Sequence, residues 1–262
     1  MADTDTTTAG SPPDRRAELK QTVALACRIL AMQGLVKETT GHVSARLPGT
    51  DRMLIRARGR DESGLLFTRP EEVIETDFDG SDVPSDAPLG TPHELPIHGE
   101  SYRARPEIGA VVHAHPPGIL LCGLAGVELR PIFGAYDPSA MQLAFGGVPV
   151  YPRSITLTRA EFAQDMLRCM GDRDVCVLRG HGITVLGSSV EEATVKAIKL
   201  ETLARVTWLV HSSQVPSISE EDQAVFRSPE RGLGRRRGGL AVWRSYVAML
   251  DRQLPPARFA GI

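Results

Sequence analysis

The stretch Val111-Val112-His113-Ala114-His115 constrains this chain more than any other. It is an apolar run short enough for one strand, and it ends in two histidines one residue apart. Alternate side chains of an extended strand share a face, so His113 and His115 can aim both imidazoles at one point. A single histidine closing an apolar run is by default a buried, hydrogen-bonded residue. Two of them repel when charged and cost energy when unpaired, so the spacing argues for a shared partner. A third histidine lies in Cys176-Val177-Leu178-Arg179-Gly180-His181-Gly182, and Glu94 offers a carboxylate in Pro92-His93-Glu94-Leu95-Pro96-Ile97-His98. Three imidazoles, with or without a carboxylate, suit zinc or a similar divalent ion that keeps one position open for chemistry.

Composition narrows the partners. A formal charge of −2 gives no bulk attraction to nucleic acid or to an anionic membrane, so a small-molecule substrate is expected. No apolar run approaches the roughly 18 residues of a membrane span, and the N-terminus lacks the apolar core of a signal peptide. The 4 cysteines (Cys27, Cys122, Cys169, Cys176) are far apart in apolar contexts, which predicts buried free thiols in a reducing compartment, the cytoplasm.

In chain order, residues 1–14 lack hydrophobic period and are expected to be a disordered leader. Leu19, Val23, Ala26, Ile29 and Leu30 recur at helical spacing and predict a helix over 15–33. Strands are expected at 42–47, 53–55 and 65–67, with Arg56, Arg58 and Arg60 on one side if the second continues. Residues 71–77 begin as a helical turn and become a strand; 79–91 form a loop. Leu95, His98 and Tyr102 put a helix over 94–104, and a further helix spans 118–124. Residues 132–147 read as a loop around Tyr136 and Asp137, followed by a strand at 148–151. Thr158, with Glu161 three residues on, caps a helix to 169. Residues 175–178 and 183–186 read as a hairpin with His181 at its turn. The longest helix is expected at 189–211 and a short one at 218–226. The Gly/Arg-rich run 231–239 reads as a solvated turn in preference to a nucleic-acid hook. A last helix, 240–254, carries Trp243, Arg244 and Tyr246. There is no repeat or linker, so 15–262 is expected to be a single α/β domain.

Four motifs in order, Gly41-His42-Val43-Ser44-Ala45-Arg46, Glu94 to His98, Arg105 to His115 and Gly180-His181-Gly182, resemble the class II aldolase/adducin family over about residues 17–225. The resemblance implies a three-layer α/β/α sandwich around a mainly antiparallel sheet. It implies His113, His115 and His181 as metal ligands, and Glu94 as an acid/base beside the metal that can also ligate it. It further implies a homotetramer with sites between subunits, closed in part by a neighbour's C-terminal segment (227–262), to which Trp243, Arg244 or Tyr246 would belong. The implied cofactor is one divalent ion per subunit, Zn2+ or Mn2+, with Fe2+ or Co2+ compatible.

The departures are equally informative. Sugar-phosphate aldolases of the family have an Asn where this chain has His42. They have a Thr-Pro-x-Gly loop where it has Arg58-Gly59-Arg60-Asp61, and a Ser-Ser pair where it has Pro92-His93. Hydroxyls and amides that wrap a phosphate have given way to imidazole and guanidinium groups, and Arg matches a planar carboxylate. The family also contains metal-dependent decarboxylases of hydroxylated aromatic dicarboxylates, and the chain is more similar to those. The expectation is decarboxylation of an ortho-hydroxy aromatic dicarboxylic acid such as 3,4-dihydroxyphthalate, giving protocatechuate. Glu94 or His93 would protonate the ring, Arg58 or Arg60 would anchor the second carboxylate, and His42 would meet the substrate hydroxyl. Two alternatives stand beside it. One is a retro-aldolase acting on a non-phosphorylated hydroxy-keto acid, with Tyr136 or Tyr246 as proton donor. The other is an adducin-like module without chemistry, which has no use for three histidines and a carboxylate.

Overall fold

The computed structural model describes residues 12–227 and 232–253. Its strands are β1 (His42–Arg46), β2 (Arg52–Arg56), β3 (Val73–Asp77), β4 (Ala110–Ala114), β5 (Val150–Tyr151), β6 (Val175–Leu178) and β7 (Gly182–Gly187). They form one sheet in the order β3-β2-β1-β4-β7-β6-β5. All pairs are antiparallel except β5 with β6, so the expected mainly antiparallel sheet is a mixed one with a single parallel edge pair. The helices among the described residues are α1 (Pro12–Met32), α2 (Leu95–Ala104), α3 (Pro117–Ala125), α4 (Pro138–Gln142), α5 (Ala160–Met170), α6 (Val190–Val210), α7 (Glu220–Arg227) and α8 (Gly232–Asp251).

Successive strand residues divide between two cores, as the period of two requires. Leu54, Val112 and Val185 join Val23, Leu30, Ile119, Leu200 and Trp243 under α1, α3, α6 and α8. Their neighbours Ile55, Val111 and Leu186 join Ile97, Tyr102 and Met166 under α2 and α5. The result is a three-layer α/β/α sandwich. A sheet covered on both faces explains why β4, β6 and β7 read as continuous apolar runs rather than as alternation. Each fully buried aliphatic side chain contributes about 1.5–3 kcal/mol against exposure, which is what holds the short strands in register.

α1 ends where its period ends: Leu35 N–H bonds Leu30 O (2.9 Å) and Gly34 N–H bonds Ala31 O (3.0 Å), a Schellman closure. The carbonyl of Leu35 then accepts from His115 N–H at 3.0 Å, tying this corner to the end of β4.

Several elements depart from expectation. Residues 1–11 of the expected leader lie outside the described residues, and 12–14 already belong to α1, where Pro suits a first turn. Residues 65–67 are a 3-10 turn, not a strand. Thr68 Oγ1 bonds back to Leu65 O (3.0 Å), and only Leu65 is buried, so three adjacent apolar residues offer no two-faced pattern. α4 interrupts the expected 132–147 loop, its N–H of Ala140 capped by the Asp137 carboxylate. α5 begins at Ala160 after Arg159, with no side-chain cap from Thr158. The Gly/Arg-rich run is helical backbone from Gly232, not a turn; α8 packs along α1 and α6, and that tertiary contact outweighs poor glycine propensity. Residues 254–262 of the expected interface segment are outside the described residues. Cys27, Cys122 and Cys176 are buried free thiols, but Cys169 is exposed on α5. Among the described residues no helix is long and apolar enough to cross a membrane.

Candidate metal centre

β4 lies at the middle of the sheet, and its last turn of chain carries the site. His113 is fully buried, and its Nδ1 stands 3.0 Å from Ile183 O on β7. A carbonyl only accepts, so the ring hydrogen sits on Nδ1 and Nε2 presents a lone pair. That lone pair faces His115 Nε2 at 2.9 Å and Glu94 Oε2 at 3.3 Å. Glu94 Oε2 is also 3.5 Å from His181 Nε2. The three imidazole centroids form a near-equilateral triangle with sides of 4.8, 4.9 and 4.9 Å.

The local chain explains each placement. His115 follows β4 directly and precedes Pro116-Pro117, where Glu201 of α6 accepts from the N–H groups of Gly118 (3.0 Å) and Ile119 (3.2 Å) to fix the start of α3. His181 closes the β6–β7 turn, with His181 N–H bonded to Leu178 O and Gly180 at φ +66° in the position that needs a left-handed residue. Gly182 must be glycine because a methyl group there would collide with the Ala114 carbonyl and the His115 ring. Glu94 is the N-cap residue of α2, and its second oxygen, Oε1, accepts from Leu157 N–H at 2.7 Å.

Electrostatically the cluster is built to bind a cation. Burial pushes the Glu94 carboxyl up, but its contacts with His113 and His181 outweigh burial and hold the group well below the usual carboxylate range. Burial, then His113 and His181, lower His115 to about 3, which keeps its imidazole neutral. One ligand atom from each of Glu94, His113, His115 and His181 lies within 4.8 Å of all the others. Acceptor atoms converging in a buried place need positive charge between them. The donor set therefore fits a divalent metal ion. His115 and His181 are only partly buried, so the open side is theirs. His181 Nδ1, a buried atom without a partner among the described residues, is the one loose end.

The sequence profile of the class II aldolase and adducin N-terminal domain matches residues 21–208. The chain belongs to the class II aldolase and adducin family. It is 40% identical over 242 residues to the 3,4-dihydroxyphthalate decarboxylase of Arthrobacter keyseri, covering 91% of this chain and 96% of that one. Against the 3,4-dihydroxyphthalate decarboxylase of Rhodococcus jostii RHA1 it is 43% identical over 229 residues, covering 86% and 93%. Among solved structures, L-fuculose 1-phosphate aldolase from Glaciozyma antarctica PI12 superposes with a TM-score of 0.77 at 19% identity, covering 95% of this chain and 94% of that one. At that identity the likeness speaks for the class II aldolase fold alone.

Within this class II aldolase frame the other expected site residues fare differently. His42 pairs across the sheet with His113, and their rings stack at 5.0 Å. His93, beside Glu94, is exposed. The three arginines do not share a strand face. β2 ends at Arg56, which is buried and paired with Glu62, while Arg58 bridges Gly90 and pairs with the same Glu62 at 3.0 Å. The charge of Arg58 still reaches His115 and helps lower it. Arg60 is 84% exposed and pairs with Asp61 at 3.7 Å. Tyr136 is 60% exposed and edge-on to Phe133. Trp243 is buried in this chain's own core and Tyr246, partly buried, packs against that core; Arg244 is exposed. Burial and then Asp137 raise the Tyr246 hydroxyl.

Sequence inspection missed His98, Ser44 and Tyr102. His98 is fully buried, with Nε2 at 2.7 Å from His42 Nδ1 and Nδ1 at 2.6 Å from Ser44 Oγ, and Ser44 Oγ is 2.7 Å from Tyr102 Oη. The signal was present: His98 and Tyr102 are one helical turn apart, and His42 and Ser44 share a strand face.

Proposed function

We propose that the chain is a metal-dependent decarboxylase of an ortho-hydroxy aromatic dicarboxylic acid, 3,4-dihydroxyphthalate-like, that releases protocatechuate and carbon dioxide. The observation that carries this is near full-length identity of 40–43% to two decarboxylases of that substrate in a chain whose three histidines and glutamate converge. Glu94, His113, His115 and His181 would hold one divalent ion per subunit, Zn2+ or Mn2+, with Fe2+ or Co2+ also suited to a nitrogen-rich set. When bound, that ion supplies Lewis-acid stabilisation of negative charge on the ring oxygen.

The chain's own groups do the rest. Protonation of the ring carbon that bears the leaving carboxylate turns the neighbouring ring oxygen into a ketone, giving a β-keto acid. The carbon–carbon bond then breaks, carbon dioxide leaves, and the electron pair returns to the ring as the phenolate of protocatechuate. Glu94 is the acid/base beside that carbon; ionised at rest, it takes up the proton through His93, exposed and adjacent in sequence, before passing it to the ring. His42 meets the ring oxygen. Arg58 takes the retained carboxylate; Arg60, turned to solvent, is the weaker candidate. Tyr136 and Tyr246 belong to the retro-aldolase alternative, and Tyr246, packed in the core, lends that alternative little. A homotetramer in the cytoplasm is part of the same proposal.

Incubation with 3,4-dihydroxyphthalate tests it. One protocatechuate and one carbon dioxide per substrate are expected, abolished by a chelator and restored by a divalent ion. Cleavage of hydroxy-keto acids to a carbonyl fragment, with no carbon dioxide, would replace the decarboxylase by the retro-aldolase. A chain that binds no divalent ion would favour the adducin-like module.

A further inference from the structure

A buried chain of hydrogen bonds runs from α2 across β1 to the edge of the metal centre, and its direction can be worked out. The Tyr102 hydroxyl meets the Val111 N–H, and the Arg46 guanidinium stands over its ring at 4.9 Å; neither can accept a proton. Ser44 Oγ is its one acceptor among the described residues, so Tyr102 donates to Ser44. Ser44 has one hydrogen of its own, which goes to His98 Nδ1. His98 is fully buried, and with Nδ1 accepting from Ser44 its hydrogen lies on Nε2. That hydrogen goes to His42 Nδ1. His42, only 3% exposed and with Nδ1 accepting from His98, then carries its hydrogen on Nε2. No acceptor among the described residues takes it.

We propose that Tyr102, Ser44 and His98 are positioning residues that lock His42 in the Nε2–H tautomer, so that it presents a hydrogen-bond donor beside the metal centre and never a lone pair. Two consequences follow. His42 stacks on His113 yet stays out of the ligand set, because its one free nitrogen is protonated. The group it meets must be an acceptor: resting on the decarboxylase proposal above, that is an ionised ring oxygen, not a phenol O–H seeking a lone pair. His42 thus selects the phenolate form, the form in which charge must be held when the carbon–carbon bond breaks.

Solid-state 15N NMR of histidine-labelled, zinc-loaded protein reads the tautomer directly, with the His42 signals identified by their loss in His42→Asn. The expected spectrum has a protonated Nε2 and a bare Nδ1 at His42. Ser44→Ala frees His98 to turn its hydrogen around, so the His42 signals become a mixture of both tautomers. In the same variant zinc content stays unchanged, and kcat/KM falls about tenfold, as expected for one hydrogen bond to a charged group. His98→Gln, whose amide can accept from Ser44 and donate to His42, keeps the Nε2–H signal; His98→Leu loses it. A His42 hydrogen on Nδ1, or an Nε2–H signal unmoved in both Ser44→Ala and His98→Leu, overturns the relay. If the spectra behave as stated and no substrate is decarboxylated, the relay stands and the function assigned above fails.

Discussion

Two groups of histidines meet at the same point of the sheet and are made into opposite things. His113, His115 and His181 turn acceptor nitrogens toward one another and toward Glu94, leaving a place that only a cation satisfies. His42 and His98, stacked against that group, are joined through Ser44 and Tyr102 into a one-way series of donors and acceptors that ends in an outward N–H. Residue type does not distinguish them. What Nδ1 sees does: at His113 it faces a carbonyl and sends the lone pair outward; at His42 it faces a donor and sends a hydrogen outward.

The largest effect separating the two groups should come from His181→Ala. Removing one ligand is expected to lower metal stoichiometry well below one ion per chain and kcat/KM by at least about a thousandfold. Metal analysis and turnover check this together. Retained full stoichiometry in this variant would mean the imidazole triangle is not the ligand set.

Acid should expose the second group next. His98, lowered to about 3 from 6.5, binds its proton more readily unfolded than folded. Stability is therefore complete above pH 6.5 and is lost as pH falls from 6.5 towards 3, by up to about 1.4 kcal/mol per pH unit for each such histidine. His42 and Glu94, also lowered, act in the same direction. Denaturant unfolding of metal-free protein between pH 7 and 4 measures the slope, and His98→Gln should reduce it by one proton. A stability that rises as pH falls over this range contradicts the burial of a neutral His98.

A smaller effect tests the rim. Arg58→Ala is expected to raise KM for the dicarboxylate about tenfold with little change in kcat, whereas Arg60→Ala changes it less than about twofold. Equal effects from both would show that Arg60 folds inward when substrate arrives.

Much of this was legible in the sequence. The His-x-His strand end and the Gly-His-Gly turn carry their geometry locally, and the helical periods of α1 and α6 are strong. Leu65 to Phe67 misled because three adjacent apolar residues fit a strand or a turn equally, and Thr68 decided the outcome. The first turns of α8 were hidden by glycine and arginine, since contacts with α1 and α6 stabilise a helix that propensity does not. The spacing of His98 and Tyr102 was visible, but not what His98 bonds: on its own helix it looks like one more inward position. Its partners His42 and Ser44 stand 56 and 54 residues away, brought to it by the packing of α2 on β1. Trp243 and Tyr246 pack on this chain's own core, which sequence alone cannot tell from a helix face that covers a neighbour's.

The most direct test is a titration of metal-free protein with Zn2+ or Mn2+ while protocatechuate formation from 3,4-dihydroxyphthalate is followed. Activity should rise in proportion to added ion and stop rising at one equivalent per chain. Full activity before any ion is added, or no protocatechuate at one equivalent, would contradict the account.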